Sequence, residues 1–161
     1  MRKQLLLFLF FCAGFVRSYA EEGVLRISTD ATDLILRVAS NGRLYQSYLG
    51  PRLLNESDMQ HFPAFSRGGS GSRIAEQGWE TYPASGMEDY FEPALGIIHQ
   101  DGNMTTLLKY VSSETRKIDE NVSETSIILR DDVYPIEVKL YYRTFKKENI
   151  IKTWTGSPSR F

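Results

Sequence analysis

Between Ile136 and Phe145 the chain alternates without a break. Ile136, Val138, Leu140, Tyr142 and Thr144 fall on one side, and Glu137, Lys139, Tyr141, Arg143 and Phe145 on the other. A period of two is the geometry of an extended strand, so this segment reads as a β-strand with one buried face. Such a strand needs neighbours to satisfy its backbone and a second layer to cover its apolar face. The rest of the chain supplies both.

Weaker alternation runs through Val24, Ile27, Leu34, Leu36 and Val38, and strand-like runs recur at 94–99, 107–111, 125–129 and 150–155. Asn41-Gly42 sits between Ile35-Leu36-Arg37-Val38 and Leu44-Tyr45-Gln46-Ser47-Tyr48. That dipeptide is suited to the positive φ angles of a tight primed turn, which predicts a hairpin. Gln100-Asp101-Gly102-Asn103 reads as the turn after the 94–99 run. No segment keeps a helical period and no internal repeat is visible. The expected fold is all-β, an antiparallel β-sandwich with a long irregular loop region around 50–84. Within that loop, Arg67-Gly68-Gly69-Ser70-Gly71-Ser72-Arg73 has glycines but no strand and helix to make them a phosphate cradle. Loops of this length inside a compact domain often serve binding or interfaces.

The amino terminus has its own logic. Arg2 and Lys3 precede the apolar run Leu5 to Val16, and Ser18 and Ala20 precede the acidic pair Glu21-Glu22. This order predicts a signal peptide over 1–20 cleaved after Ala20, with export to the periplasm or the extracellular space. The apolar run is shorter than the roughly 20 residues that span a bilayer, so no stable membrane span is expected. The only cysteine, Cys12, lies inside this segment. The mature chain therefore has no disulfide framework and no thiolate-ligated metal, and its stability must come from a packed core. A formal net charge of -1 gives no electrostatic case for nucleic acid or an anionic membrane, and the partners expected are neutral or uncharged.

The segment Tyr82-Pro83-Ala84-Ser85-Gly86-Met87-Glu88-Asp89-Tyr90-Phe91-Glu92-Pro93-Ala94-Leu95, followed by His99-Gln100-Asp101-Gly102-Asn103 and Leu108-Lys109-Tyr110-Val111, resembles the amino-terminal domain of glycoside hydrolase family 36. Leu44 to Leu53 and Tyr134 to Tyr142 fit the same register, so the resemblance covers nearly all of 21–155. It implies a large β-sandwich set before a (β/α)₈ barrel, in enzymes that hydrolyse terminal α-galactosides with retention of configuration. A barrel needs about 250 residues and carries its catalytic groups at the carboxyl ends of its strands. The resemblance thus implies that the catalytic barrel is missing here, and that the fragment is inactive alone. Residues 156–161 turn to a polar tail without strand pattern, and are expected to mark a truncation by frameshift or gene breakage.

A retaining glycosidase needs two carboxyl groups about 5 to 5.5 Å apart. Glu88-Asp89 and Asp131-Asp132 are adjacent pairs, and neighbours on an extended chain point to opposite faces. Asp131-Asp132 before Val133-Tyr134-Pro135 reads as a turn leading into a strand. In the family both catalytic carboxylates are aspartates of the barrel, so no catalytic residue is assigned here. For substrate binding, the resemblance makes Asp89 the candidate hydroxyl contact and Trp79 the candidate stacking platform. In some relatives the corresponding loop reaches the rim of a barrel's active site, in a neighbouring subunit of a homo-oligomer. The competing expectation is that Trp79, Tyr90 and Phe91 pack the sandwich edge while Asp89 and Glu92 cap turns.

His61 and His99 lack a second histidine at ligand spacing, so neither a metal nor another cofactor is expected. His99 is expected to hold the 100–103 turn by a hydrogen bond. Asn55, Asn103 and Asn121 begin N-glycosylation acceptor patterns, which would matter only in a eukaryotic source. Two functional classes follow: the non-catalytic domain of an exported α-galactosidase-like enzyme, or a free-standing carbohydrate-binding β-sandwich.

Overall fold

The computed structural model describes residues 23–62, 79–86 and 92–156. The segment expected to be a signal peptide, the glycine-rich run 67–73 and the Glu88-Asp89 pair lie outside these residues. Among the described residues, no helix is long and apolar enough to cross a membrane.

The described residues form two antiparallel four-stranded sheets. The first joins β1 (Val24–Ser28), β2 (Thr32–Val38), β3 (Leu44–Pro51) and β4 (Trp79–Glu80) in sequence order. The second joins β5 (Leu108–Lys117), β6 (Val122–Asp131), β7 (Glu137–Phe145) and β8 (Ile150–Gly156), again in order. Every pairing is between consecutive strands, so each sheet is a meander whose edges are its first and last strands.

Burial on β7 follows the sequence alternation. Val138, Leu140, Tyr142 and Thr144 are buried, while the residues between them are half-exposed. Tyr142 lies deep enough that burial pushes its phenol up to about 12. Ile127 and Leu129 of β6 meet this face, and the same cluster includes Ile27, Leu34, Leu36, Val38 and Leu44 from the other sheet. The core is thus the space between two apolar sheet faces, a β-sandwich. Backbone bonds tie the layers at separate points: Asp30 N donates to Lys146 O at 3.2 Å, and Tyr110 N to Gly42 O at 2.9 Å.

On β2, Asp33, Leu34, Ile35 and Leu36 are all buried, although they alternate in direction. The second face is covered by the segment after β3, which includes a short 3-10 helix, Glu56–His61. Leu53 N donates to the Asp33 carboxylate, the Arg37 guanidinium donates to Met59 O, and Phe62 lies 4.6 Å from the Tyr48 ring. The region around 50–84 is therefore only partly irregular. Its described portions hold the end of β3, this helical turn and the edge strand β4.

Two local expectations are corrected. The β2–β3 hairpin exists, but only Gly42 takes a positive φ, +79°, and Asn41 does not. Gly42 N closes onto Ala39 O while Ala39 N returns to Arg43 O, so the loop is longer than a two-residue primed turn and ends on a left-handed glycine. Asn41 acts through its side chain: Oδ1 accepts from Arg43 N and Nδ2 donates to the Tyr45 hydroxyl. The run 94–99 is not a regular strand, because Ala94 N and Leu95 N both go to Pro83 O and only Leu95 forms a bridge, parallel, to Ala84. Its other end folds into the next turn, where His99 N donates to Asn103 O.

Candidate functional site

Trp79 opens β4, where its backbone pairs with Gln46 on β3. Asp89, the other candidate, lies outside the described residues. The structure defines the base from which the Asp89 loop springs. On one side Ser85 N donates to Leu95 O at 2.8 Å, and Ala94 N donates to Pro83 O at 2.8 Å. These bonds pin together the two stems of the segment that carries residues 87–91. A second set anchors the stems to the strand approach of β5: Thr106 N donates to Ser85 O, and Ser85 Oγ donates to Met104 O. Gly86, at φ +84°, fits so closely that a Cβ there would stand 2.4 Å from Thr105 Cα. Glycine is required by both the angle and the space.

Behind the loop base sits His99. Its ring is stacked on Tyr134 with centroids 3.4 Å apart, and its Nε2 lies within hydrogen-bond reach of Thr105 O and Thr106 Oγ1. Tyr134 in turn donates its hydroxyl to Asp101 and accepts from Asn103. The bond from Asn103 N and the Tyr134 hydroxyl hold the Asp101 carboxyl below the usual carboxylate range. His99 therefore holds the 100–103 turn, by its backbone and by its stack, as the sequence suggested. His61 ends the 3-10 helix, exposed to solvent.

The carboxylates that the sequence left open are occupied structurally. Asp131 accepts from Val133 N, Tyr134 N and Leu107 N, which makes it the organiser of the β6–β7 turn. Burial raises this carboxyl, but those backbone donors more than offset it and leave it below its ordinary range. Asp132 pairs with Lys109 at the surface. Asp131 and Asp132 thus diverge instead of facing one bond. Among the described residues, no group of three or more His, Cys, Asp or Glu side chains could hold a metal ion.

Sequence reasoning missed two buried ionic clusters. Asp33 accepts from Arg26, Ser28 and Leu53 N. Burial pushes it up, yet the Arg26, Ser28 and Leu53 bonds win and hold it low. On the outer face of the second sheet, Glu124 lies between Arg143 and Arg116, and the Arg143 bond is the main reason its carboxyl is held low. For the second cluster, Arg143 falls on the outward phase of the strand the sequence predicted, but the β5 extension that carries Arg116 was not announced by any apolar pattern. For the first, strand register had to be known.

The sequence profile described as the glycosyl hydrolase family 36 N-terminal domain matches residues 42–156. No curated protein sequence matches the chain. Among solved structures, the fold is similar to the α-galactosidase from Lactobacillus brevis, with a TM-score of 0.68 and 18% identity over 85% of this chain. It is also similar to the A355E variant of the family 36 α-galactosidase AgaA from Geobacillus stearothermophilus, in complex with 1-deoxygalactonojirimycin, at a TM-score of 0.66 and 19% identity over 83% of this chain. In each case the match spans 21% of the solved chain. Variants of AgaA have also been solved with raffinose and with stachyose.

Proposed function

Because the chain belongs to the glycosyl hydrolase family 36 N-terminal domain family, we propose that it serves as the non-catalytic sandwich of an exported α-galactosidase-like enzyme and is silent by itself. The observation that carries this reading is the family match over 42–156, on a fold that spans only about a fifth of the solved α-galactosidases. The disposition of the carboxylates supports it. Asp33, Glu124 and Asp131 are each committed to arginines or backbone amides, so none stands ready as a nucleophile or proton donor.

In this reading the Trp79–Asp89 loop offers a sugar-facing edge to an active site on a barrel. A pyranose has an apolar face for an indole and a rim of hydroxyls for a carboxylate. The rigid stems at Ser85 and Ala94 would hold such a loop at a fixed height above the sandwich. The α-galactoside reaches this chain only as part of the parent, whose barrel supplies the chemistry.

The test is a chimera in which residues 21–155 replace the corresponding segment of the L. brevis α-galactosidase. Hydrolysis of an α-galactoside should survive the exchange, and Asp89→Asn and Trp79→Ala should raise KM without unfolding the protein. A folded chimera whose activity ignores both substitutions would refute the role of the loop.

A further inference from the structure

The outer face of the second sheet carries a group of side chains that neither the core nor the sugar-facing loop uses. Tyr141 and Trp154 are direct partners across β7 and β8, with rings stacked at 5.1 Å and 5°. Both are only partly buried. Lys139 Nζ stands 5.3 Å from the Tyr141 centroid, while Arg143 Cζ and Lys152 Nζ stand 5.2 and 5.8 Å from that of Trp154. Gly156 pairs with Lys139, and its bare Cα lets the Tyr141 ring lie close: a Cβ would come within 3.1 Å of Cε2.

The charges on this face are unequal. Arg143 and Arg116 share Glu124, which occupies both guanidinium groups. Lys139 and Lys152 form no hydrogen bond or ion pair among the described residues. Cations Arg116, Arg130, Lys139, Arg143 and Lys152 outnumber the carboxylates Glu114, Glu124 and Glu137 here, with Arg130 and Glu137 paired to each other, although the whole chain carries a net charge of -1. Two ammonium groups that carry no carboxylate partner among the described residues, each beside an aromatic ring, therefore flank an aromatic pair on the outer side of the sheet. Aromatic carbon suits the apolar face of a sugar ring, and the ammonium groups suit an anion attached to it.

We infer that this face binds an acidic oligosaccharide, with a sugar ring against Tyr141 and Trp154 and its carboxylates or sulfates on Lys139 and Lys152. The choice of a saccharide over an acidic peptide rests on the carbohydrate role proposed above. The site is distinct from Trp79, since β4 and β8 belong to different sheets.

Titration calorimetry of the 161-residue chain with an oligogalacturonate, with neutral stachyose and with polyglutamate tests the inference. Oligogalacturonate should bind, and raising salt from about 20 mM to about 0.3 M should weaken it as screening shortens. Trp154→Ala and the double variant Lys139→Glu, Lys152→Glu should each weaken binding about tenfold or more, a loss of roughly 1.4 kcal/mol per tenfold. The lysine changes lie on exposed or half-exposed positions, and circular dichroism would verify that the variant is folded. Trp79→Ala and Asp89→Asn should leave this binding unchanged, so failure here and failure of the loop are distinguishable. Absence of oligogalacturonate binding, insensitivity to these variants, or equal binding of stachyose or polyglutamate would overturn it.

Discussion

The Nη2 of Arg26 lies 2.6 Å from Oδ2 of Asp33, and the carboxylate it meets is fully shielded from water. The bond joins β1 to β2 diagonally, since Asp33 is paired in register with Ser28. Ser28 takes the other carboxylate oxygen, and Leu53 N adds a third donor from the chain that covers the sheet. One side chain thus couples both strands to the covering segment. Asp33→Ala would leave the partly buried guanidinium without its anion and should cost about 3 to 5 kcal/mol. Urea denaturation of wild type and variant gives the value directly.

Glu124 meets its arginines in a wetter setting. Its partners, Arg143 and Arg116, have side chains 35% and 66% exposed, so water can resolvate them once the carboxylate is gone. Glu124→Gln should therefore cost only about 1 kcal/mol. In the same urea assay, a loss equal to that of Asp33→Ala would contradict this ordering.

Acid should weaken the fold. Asp33, Glu124 and Asp131 all have carboxyls held below their ordinary range, so the folded chain binds fewer protons than the unfolded chain between the two pKa values. Their contribution is complete above the unfolded value of about 4, and falls away as pH drops through the folded values. Urea midpoints measured from pH 7 down to pH 3 should be level at first and then decline. Asp131→Asn should lower stability at neutral pH and flatten that decline, whereas a midpoint that rises on acidification would contradict the assignment.

Two glycines separate strain from crowding. Gly86 and Gly42 both have positive φ, but the Cβ of an alanine would meet backbone at Thr105 in the first case and the flexible Lys109 side chain in the second. Gly86→Ala should cost about 3 kcal/mol or more, because the loop base must shift. Gly42→Ala should cost about 1 kcal/mol, the penalty of the left-handed angle alone. Thermal melts of the two variants provide the comparison.

What could be read from the sequence follows from how each element is stabilised. The β7 strand was legible because burial alone separates Val138, Leu140 and Tyr142 from Lys139, Tyr141 and Arg143. Beyond Val111, β5 continues to Lys117 through Ser112, Glu114 and Arg116, held by its ladder to β6 instead of by burial, and no apolar pattern announces it. The run 94–99 shows the reverse: Ile97 and Ile98 look like strand, yet the backbone is spent on Pro83 and on the following turn. The Arg26–Asp33 bond required the β1–β2 register, with an irregularity at Ile35/Leu36 in the β2–β3 pairing beside it. At the candidate site, the resemblance selected Trp79 and Asp89; the structure adds the pinned stems at Ser85 and Ala94, which composition does not reveal.

The central proposal is that this sandwich carries no complete catalytic apparatus and works only beside a barrel. Incubating the purified 161-residue chain with a nitrophenyl α-galactoside measures this most directly. The expected result is release of nitrophenol at the uncatalysed rate, unchanged by Asp89→Asn or Asp131→Asn. Hydrolysis that scales with chain concentration and is abolished by either substitution would contradict it.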